Sequence, residues 1–336
     1  MRFTRILMLS AVLCLITPNV VAAGAGTFED GQGMTGLERI TYISFVGIGL
    51  TFIGTAFFLF MERNDVARRH RPAVGLGVMI TGIAGLQYAL MQDVYIVDGS
   101  VPTDYRYADW ITTVPLMAIT FAVLPGKESF TDRRLFSLPG MSVPGIIIVG
   151  SLFMMVSGYL GQVEVDRMLL SGEGVSGGLH WYWFFQGLVG FLTILLVVGT
   201  PFTGAYGIDD SKILEPSIQT AMARLRRLVI FGWLIYPAGY LTGALEIGGS
   251  EGAALMTLVY NVADLVNKTA FVVIVLLGAR NTIEAQQVHP PTQDHGSRAM
   301  IESNQPETYD DSGLRDLAEL VNAPTDDSLV DPDDDL

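Results

Sequence analysis

Seven apolar stretches, each long enough to cross a bilayer, constrain this chain more than any other feature. They cover residues 40–60, 73–94, 105–124, 142–160, 181–198, 223–245 and 253–277. A helix needs about 20 mostly apolar residues to span the hydrocarbon core. Half of the residues are hydrophobic and only 16% are charged, a balance that marks an integral membrane protein. The expected architecture is an all-α membrane protein, a bundle of seven transmembrane helices. Pro115, Pro144 and Pro237 fall inside these stretches, and membrane helices tolerate proline better than soluble ones do.

The basic residues set the orientation. Arg63, Arg68, Arg69 and Arg71 follow the first stretch, Lys127, Arg133 and Arg134 the third, and Lys212, Arg224, Arg226 and Arg227 the fifth; the opposite side holds little beyond Arg39 and Arg167. The excess of Lys and Arg on one side places it in the cytoplasm. The expected protein is therefore a multi-pass resident of the plasma membrane, with its N-terminus outside and its C-terminus in the cytoplasm. The first residues agree. Arg2 and Arg5 precede the apolar run 6–16, and Val21, Ala22 and Ala23 offer a cleavage site, so residues 1–23 read as a cleavable signal peptide. Cys14, the single cysteine, lies in that run; the mature chain would have no disulfide, no thiolate catalysis and no zinc-thiolate site, and no other metal centre is expected.

The net charge of −14 belongs mostly to one segment. Residues 284–336 hold 14 acidic residues against Arg298 and Arg315, a net of −12, and the rest of the chain nets −2. This tail, ending DDSLVDPDDDL, is rich in Pro, Ser and Asp and is expected to be disordered in the cytoplasm. It reads as a solubilising tail, or as a docking segment for a basic cytoplasmic partner in which residues 314–321 form a short helix on binding. No internal repeat and no phosphate-cradling glycine loop is present, and the basic residues map to topology rather than to nucleic acid.

Chemistry concentrates in two stretches. Lys268 is one of three lysines and the one that lies inside an apolar run, LMTLVYNVADLVNKTAFVVIVLLG. An ammonium at that depth costs several kcal/mol and usually serves function. Asp264 precedes it by four residues, which puts both side chains on one helix face about 6 Å apart along the axis. On spacing alone the pair is either a structural ion pair or a reactive amine with its counter-ion. The third stretch carries RYADWITTVP, with Asp109 about a turn and a half into the membrane, Arg106 a turn nearer the outside and Thr113 a turn further in. Asp109 and Asp264 both lie in the outer halves of their helices and can face one cation. Two carboxylates with Arg106 and Lys268 offset much of their own desolvation cost. That balance suits a protonated imine on Lys268 better than a free lysine.

With those residues in view, the segments RYADWITTVP, GWLIYPAGYLTG and YNVADLVNKTAF resemble the third, sixth and seventh helices of microbial (type I) rhodopsins, and of their proteorhodopsin branch in particular. FMMVSGYLGQ in the fourth stretch points to the same branch. The resemblance covers residues 35–283, the expected transmembrane domain, and leaves out the tail. It implies all-trans retinal bound as a protonated Schiff base on Lys268, Asp109 as counter-ion and primary proton acceptor, Asp264 as second counter-ion, and Arg106 as the outward relay. It also implies that Trp110, Trp233, Tyr236 and Pro237 line the polyene, that Tyr240 lies near the ring, and that Met117 tunes the colour toward green. Flat aromatic walls give a conjugated chain a rigid apolar slot. Trp181 and Trp183 read instead as interfacial-belt residues. Phe185 stands where a carotenoid antenna would need a small residue, so no antenna is expected.

Two positions depart from the proteorhodopsin pattern. The place of the cytoplasmic proton donor, eleven residues after Asp109, holds Thr120, about 16 Å further inward on the same face. A hydroxyl cannot give up a proton at neutral pH, so reprotonation is expected to depend on water and to slow as pH rises. Gln87 stands where proteorhodopsins commonly carry a histidine that binds the counter-ion, which should leave Asp109 ionised to lower pH. The resemblance also excludes activities: the family's chloride pumps lack the acid at Asp109, and its sodium pumps carry Asn and a second acid where this chain has Asp109, Thr113 and Thr120. Two functions remain. One is a light-driven outward proton pump, favoured by Asp109, Thr113 and Arg106. The other is a sensory photoreceptor that signals through a membrane or cytoplasmic partner, suggested by Thr120 and the tail. The family's habit implies a homo-oligomer, a pentamer or a trimer, in membrane lipid. Neither function makes bonds in a substrate, so the chain is not expected to be an enzyme.

Overall fold

The structure, a computed structural model, describes residues 34–97, 101–130, 142–171, 178–199 and 207–288. The expected signal peptide, Arg133, Arg134 and nearly all of the acidic tail lie outside the described residues. Helices occupy all seven expected stretches: α1 (Gly36–Glu62), α2 (Arg71–Val97), α3 (Thr103–Val123), α4 (Val143–Ser171), α5 (Leu179–Val198), α6 (Pro216–Arg227) with α7 (Ile235–Ala244) in the sixth, and α8 (Gly252–Val288) in the seventh. The last helix runs past the expected end of the domain at residue 283 to Val288. Five described helices are long and apolar enough to cross a membrane by length and composition, namely α1, α2, α4, α5 and α8 with their flanking turns. The third stretch falls short because it carries Asp104, Arg106 and Asp109, and the sixth because it starts on Arg224, Arg226 and Arg227 and is interrupted.

Local chemistry explains the elements. Thr35 caps α1: its hydroxyl accepts from the Glu38 amide at 3.3 Å while the Glu38 carboxylate accepts from the Thr35 amide at 2.8 Å, a reciprocal capping box. Hydroxyls inside the helices bond back to their own backbone, as Thr51 does to Gly47, Thr81 to Gly77 and Thr120 to Leu116, which satisfies them where no water competes. Consecutive helices pack side by side, α1 on α2, α2 on α3, α3 on α4 and α4 on α5. Gly190 lets α5 approach α4 closely, since a Cβ there would lie 2.7 Å from the Met154 amide nitrogen. At the arginine-rich end, buried Arg226 donates to the Val198 carbonyl at 2.9 Å and forks onto both oxygens of Asp210.

The sixth stretch, expected as one helix over residues 223–245, is instead two. After α6 the backbone widens into a π-helical turn, Leu228–Gly232, and passes Trp233 and Leu234 before α7 begins. The Asn267 amide reaches across from α8 to the Gly232 carbonyl at 2.9 Å and also bonds to the Ala263 carbonyl of its own helix at 2.9 Å. Backbone groups freed by such a turn need a partner in an apolar setting. A Cβ on Gly232 would meet the Asn267 Oδ1 at 2.0 Å, whereas one on Gly54 would meet nothing within 4 Å. Gly232→Ala is therefore expected to lose about 1–3 kcal/mol, and Gly54→Ala to be neutral or stabilising by up to about 1 kcal/mol. Thermal unfolding in detergent, followed by helical circular dichroism, checks this, and equal stabilities would sink the close-contact reading.

Candidate functional site

A cluster of charge lies where α2, α3, α7 and α8 meet. Lys268, 0% exposed, donates from Nζ to Oδ2 of Asp109 on α3 and, at 3.1 Å, to Oδ2 of Asp264 one turn back on α8. Both carboxylates are likewise 0% exposed. The Nζ also sits 5.7 Å from the centre of the Phe52 ring on α1, a favourable place for a cation. One amine thus bridges two carboxylates from two helices.

The two carboxylates are held differently. Asp264 accepts from Lys268, from the Tyr88 hydroxyl at 3.0 Å, from the Trp110 indole at 2.9 Å and from the Tyr236 hydroxyl at 2.8 Å. Four donors occupy its two oxygens, close to the capacity of a carboxylate. For Asp109, Oδ2 accepts from Lys268 and Oδ1 is buried with no protein hydrogen-bond partner. Thr113, expected to bond toward Asp109, does so through the backbone: its hydroxyl donates to the Asp109 carbonyl at 2.9 Å. Asp109 thus takes fewer protein donors than Asp264 among the described residues.

Arg106, 1% exposed, pairs with neither carboxylate directly. It donates to Oδ1 of Asn261 at 2.9 Å, and Asn261 in turn donates to the Ser44 hydroxyl at 2.8 Å. Its guanidinium carbon lies 5.2 Å from the Tyr260 ring centre and 6.0 Å from that of Phe45. Aromatic faces and one neutral amide thus hold the charge one turn from Asp109. On the other side of Lys268, Thr120 is buried and its hydroxyl donates to the Leu116 carbonyl of its own helix at 2.7 Å. Gln87 makes no hydrogen bond to Asp109 among the described residues, and Tyr88 beside it is the α2 residue that reaches the cluster.

An apolar cavity opens from this cluster between α3, α4, α5 and α7. Its wall includes Trp110, Trp233, Tyr236 and Pro237, expected along the polyene, together with Tyr240, expected near the ring, and Met117, expected to tune the colour. Trp110 and Tyr236 stand edge to face at 5.0 Å and both hold Asp264, so the wall of the cavity and the charged end share side chains. Further along, Phe191 stacks on Trp233 at 6.0 Å and Phe184 on Tyr240 at 5.2 Å. The lining is almost wholly aromatic and apolar, a chemistry that suits a long conjugated chain; Lys268, Asp109 and Asp264 are not among the lining residues, and Trp110 and Tyr236 join them to it. Most of the residues that sequence reasoning missed come from α4 and α5, Met154, Met155 and Gly158 on one and Phe184, Gly187, Leu188 and Phe191 on the other; Tyr107 and Val114 on α3 and Tyr260 on α8 were missed as well. The α4 and α5 sets follow helical spacing, the signal that could have found them. Trp181 and Trp183 are not among the lining residues, and Phe185 is 58% exposed.

Among the described residues no group of His, Cys, Asp and Glu could hold a metal ion. The sequence profile of the bacteriorhodopsin-like proteins matches residues 38–282. A green-light absorbing proteorhodopsin from Gamma-proteobacterium EBAC31A08 is 32% identical over 264 residues, covering 78% of this chain and 95% of the relative. Sensory rhodopsin-2 of Natronomonas pharaonis is 29% identical, covering 75% and 93%. Among solved structures, the blue light-absorbing proteorhodopsin from Med12 superposes with a TM-score of 0.55 at 27% identity, covering 72% of this chain and 98% of that one.

Proposed function

The chain belongs to the bacteriorhodopsin-like proteins, the microbial rhodopsins, and on that premise we propose that it is a light-driven outward proton pump carrying all-trans retinal on Lys268. The observation that carries the reading is the direct contact between Lys268 Nζ and Asp109, beside a second carboxylate whose oxygens are already filled. When bound as a protonated Schiff base, retinal supplies light absorption, in the green by the apolar Met117, and an isomerisation that frees the proton held at Nζ.

The residues do the rest. Asp264, fixed by Tyr88, Trp110 and Tyr236, remains the stationary anion that keeps a cation at Nζ. Asp109, within hydrogen-bond reach of Nζ, takes the proton. Arg106, one turn nearer the end opposite the arginine-rich loops, stabilises Asp109 as an anion again once the proton has moved on. The arginine-rich end faces the cytoplasm in this reading, so the proton leaves outward. Aromatic walls exclude water from the slot and prevent random exchange at Nζ.

On the inward side Thr120, whose hydroxyl donates to the Leu116 carbonyl, offers no proton, since an alcohol does not ionise at neutral pH. Nζ is then refilled from cytoplasmic water, at a rate that falls with proton concentration as pH rises. Thr120→Glu is expected to speed this step and remove its pH dependence near neutrality, as read by flash photolysis. Fast, pH-independent recovery in the unaltered protein would sink the water-mediated step while leaving the pump intact.

The functional test uses cells that express the chain with added all-trans retinal in unbuffered salt solution under green light. External acidification abolished by a protonophore supports the outward pump. Pigmented cells with no pH change would replace it with a light receptor, the reading that the non-carboxylic Thr120 also allows.

A further inference from the structure

One buried carboxylate takes no part in the mechanism above. Asp166 lies on α4, half-buried near the end opposite the arginine-rich loops, and has no ion-pair partner among the described residues. Its Oδ2 accepts from the Thr103 hydroxyl at the start of α3, and its Oδ1 accepts from the Gln162 amide at 2.7 Å. Gln162, 1% exposed, accepts on Oε1 from the Tyr260 hydroxyl at 2.7 Å. The Tyr260 ring is the nearer of the two that face the Arg106 guanidinium. Donors therefore run one way, from Tyr260 to Gln162 to Asp166, and tie the neighbourhood of Arg106 to a carboxylate nearer the surface.

We infer that Asp166 is the proton-release group, the carboxylate that receives the outgoing proton after Asp109 and hands it to external water; the inference rests on the outward-pump reading above. A structural hydrogen-bonding post here could be a neutral amide. A carboxylate without a cation in contact costs more to bury, and what it adds is a place to hold a proton. The transfer balances: the Asp109 carboxylic acid and the Asp166 carboxylate become the Asp109 carboxylate and the Asp166 carboxylic acid. The Asp166 acid then gives its proton to an external water, which becomes hydronium. Only O–H bonds break and form. Gln162 carries no proton itself; it and Tyr260 hold Asp166 in line with Arg106, and the proton crosses on water. The groups facing Asp166 are Arg106, Asp104 and Tyr107 on α3, Tyr159 on α4, Tyr240 on α7 and Tyr260 on α8. Of these, Asp104 is exposed and bonded by the Tyr159 hydroxyl at 2.8 Å, which marks the opening to solvent.

The test is made on the full chain with retinal, by time-resolved infrared difference spectroscopy alongside a pH-indicating dye in the external medium. The unaltered protein is expected to show a second carboxylic C=O band that rises as the Asp109 band decays and disappears as the dye responds. Asp166→Asn should lose that second band and delay the dye by about 100-fold, the lower end of what a positioned proton carrier contributes, with the rise of the Asp109 band unchanged. Asp166→Glu should restore the dye response and shift the band, and Asp104→Asn should keep it. If Asp166→Asn forms no pigment, Asp166→Glu decides, and an unshifted band overturns the inference. A band and dye timing unchanged in Asp166→Asn, in a protein that does acidify the medium, overturn it too. A protein that never acidifies the medium fails the pump reading itself.

Discussion

Cells expressing Lys268→Ala with added all-trans retinal are expected to stay colourless and to leave the external pH unchanged in light. The effect should be total, because Nζ is the atom that would carry the chromophore and the cation that both buried carboxylates share. The variant should be unstable as well. Removing one partner of a buried ion pair leaves an uncompensated charge and costs about 3–5 kcal/mol, and here one substitution strips two carboxylates. Adding Asp109→Asn to Lys268→Ala should therefore recover part of the stability without recovering colour. Absorption spectra together with thermal unfolding in detergent separate the two losses. Colour in the single variant would mean that the chromophore is attached elsewhere, and equal stability of the single and double variants would mean that the cluster is not dry.

Asp109→Asn is expected to keep its pigment, shift it to longer wavelength and abolish light-driven acidification. An amide at this site cannot take the proton from Nζ. Loss of the negative charge beside a protonated imine also stabilises the excited state, in which positive charge moves away from the nitrogen, relative to the ground state. Asp264→Asn should behave differently. Four donors converge on Asp264, and each one left unsatisfied in the interior costs about 1–3 kcal/mol. Low pigment yield is the expected result there, since Trp110 and Tyr236 lose the anchor that sets the cavity wall. Absorption maxima, pigment yield and acidification measured side by side distinguish the two carboxylates. Pumping that survives Asp109→Asn would remove Asp109 as acceptor, and matching behaviour of both variants would remove the division of labour.

Much of the site was legible in the chain because its parts are local. Asp264 and Lys268 share a helix face by their spacing of four, and a charged residue in an apolar run is visible without any structure. The aromatic residues Trp233, Tyr236 and Tyr240 repeat at helical intervals in one segment and arrive together on the cavity wall. Other parts were not legible because they depend on contacts between distant segments. The break of the sixth stretch depends on a carbonyl at Gly232 and an amide at Asn267, 35 positions apart, and neither residue announces the partnership. Arg106 was expected to balance the carboxylates and instead finds Asn261, 155 positions away. Thr113 sets its hydroxyl on the Asp109 backbone carbonyl while facing the acid as well, an arrangement between two acceptors one helical turn away that spacing cannot fix.

By itself the sequence determined that this chain crosses a membrane as helices, which faces carry charge, and which amine has a carboxylate one turn away. Hydrophobic length and helical period are properties of single segments, so they survive without knowledge of the neighbours. The tertiary structure decided which of the two carboxylates collects four donors, because Tyr88, Trp110 and Tyr236 come from three other helices and meet at Asp264 only when the bundle closes. It also decided the shape of the slot, to which α4 and α5 supply walls that sequence reasoning did not assign. In a low-dielectric interior each buried polar group takes whatever partner packing brings within reach, and packing is a property of the whole bundle.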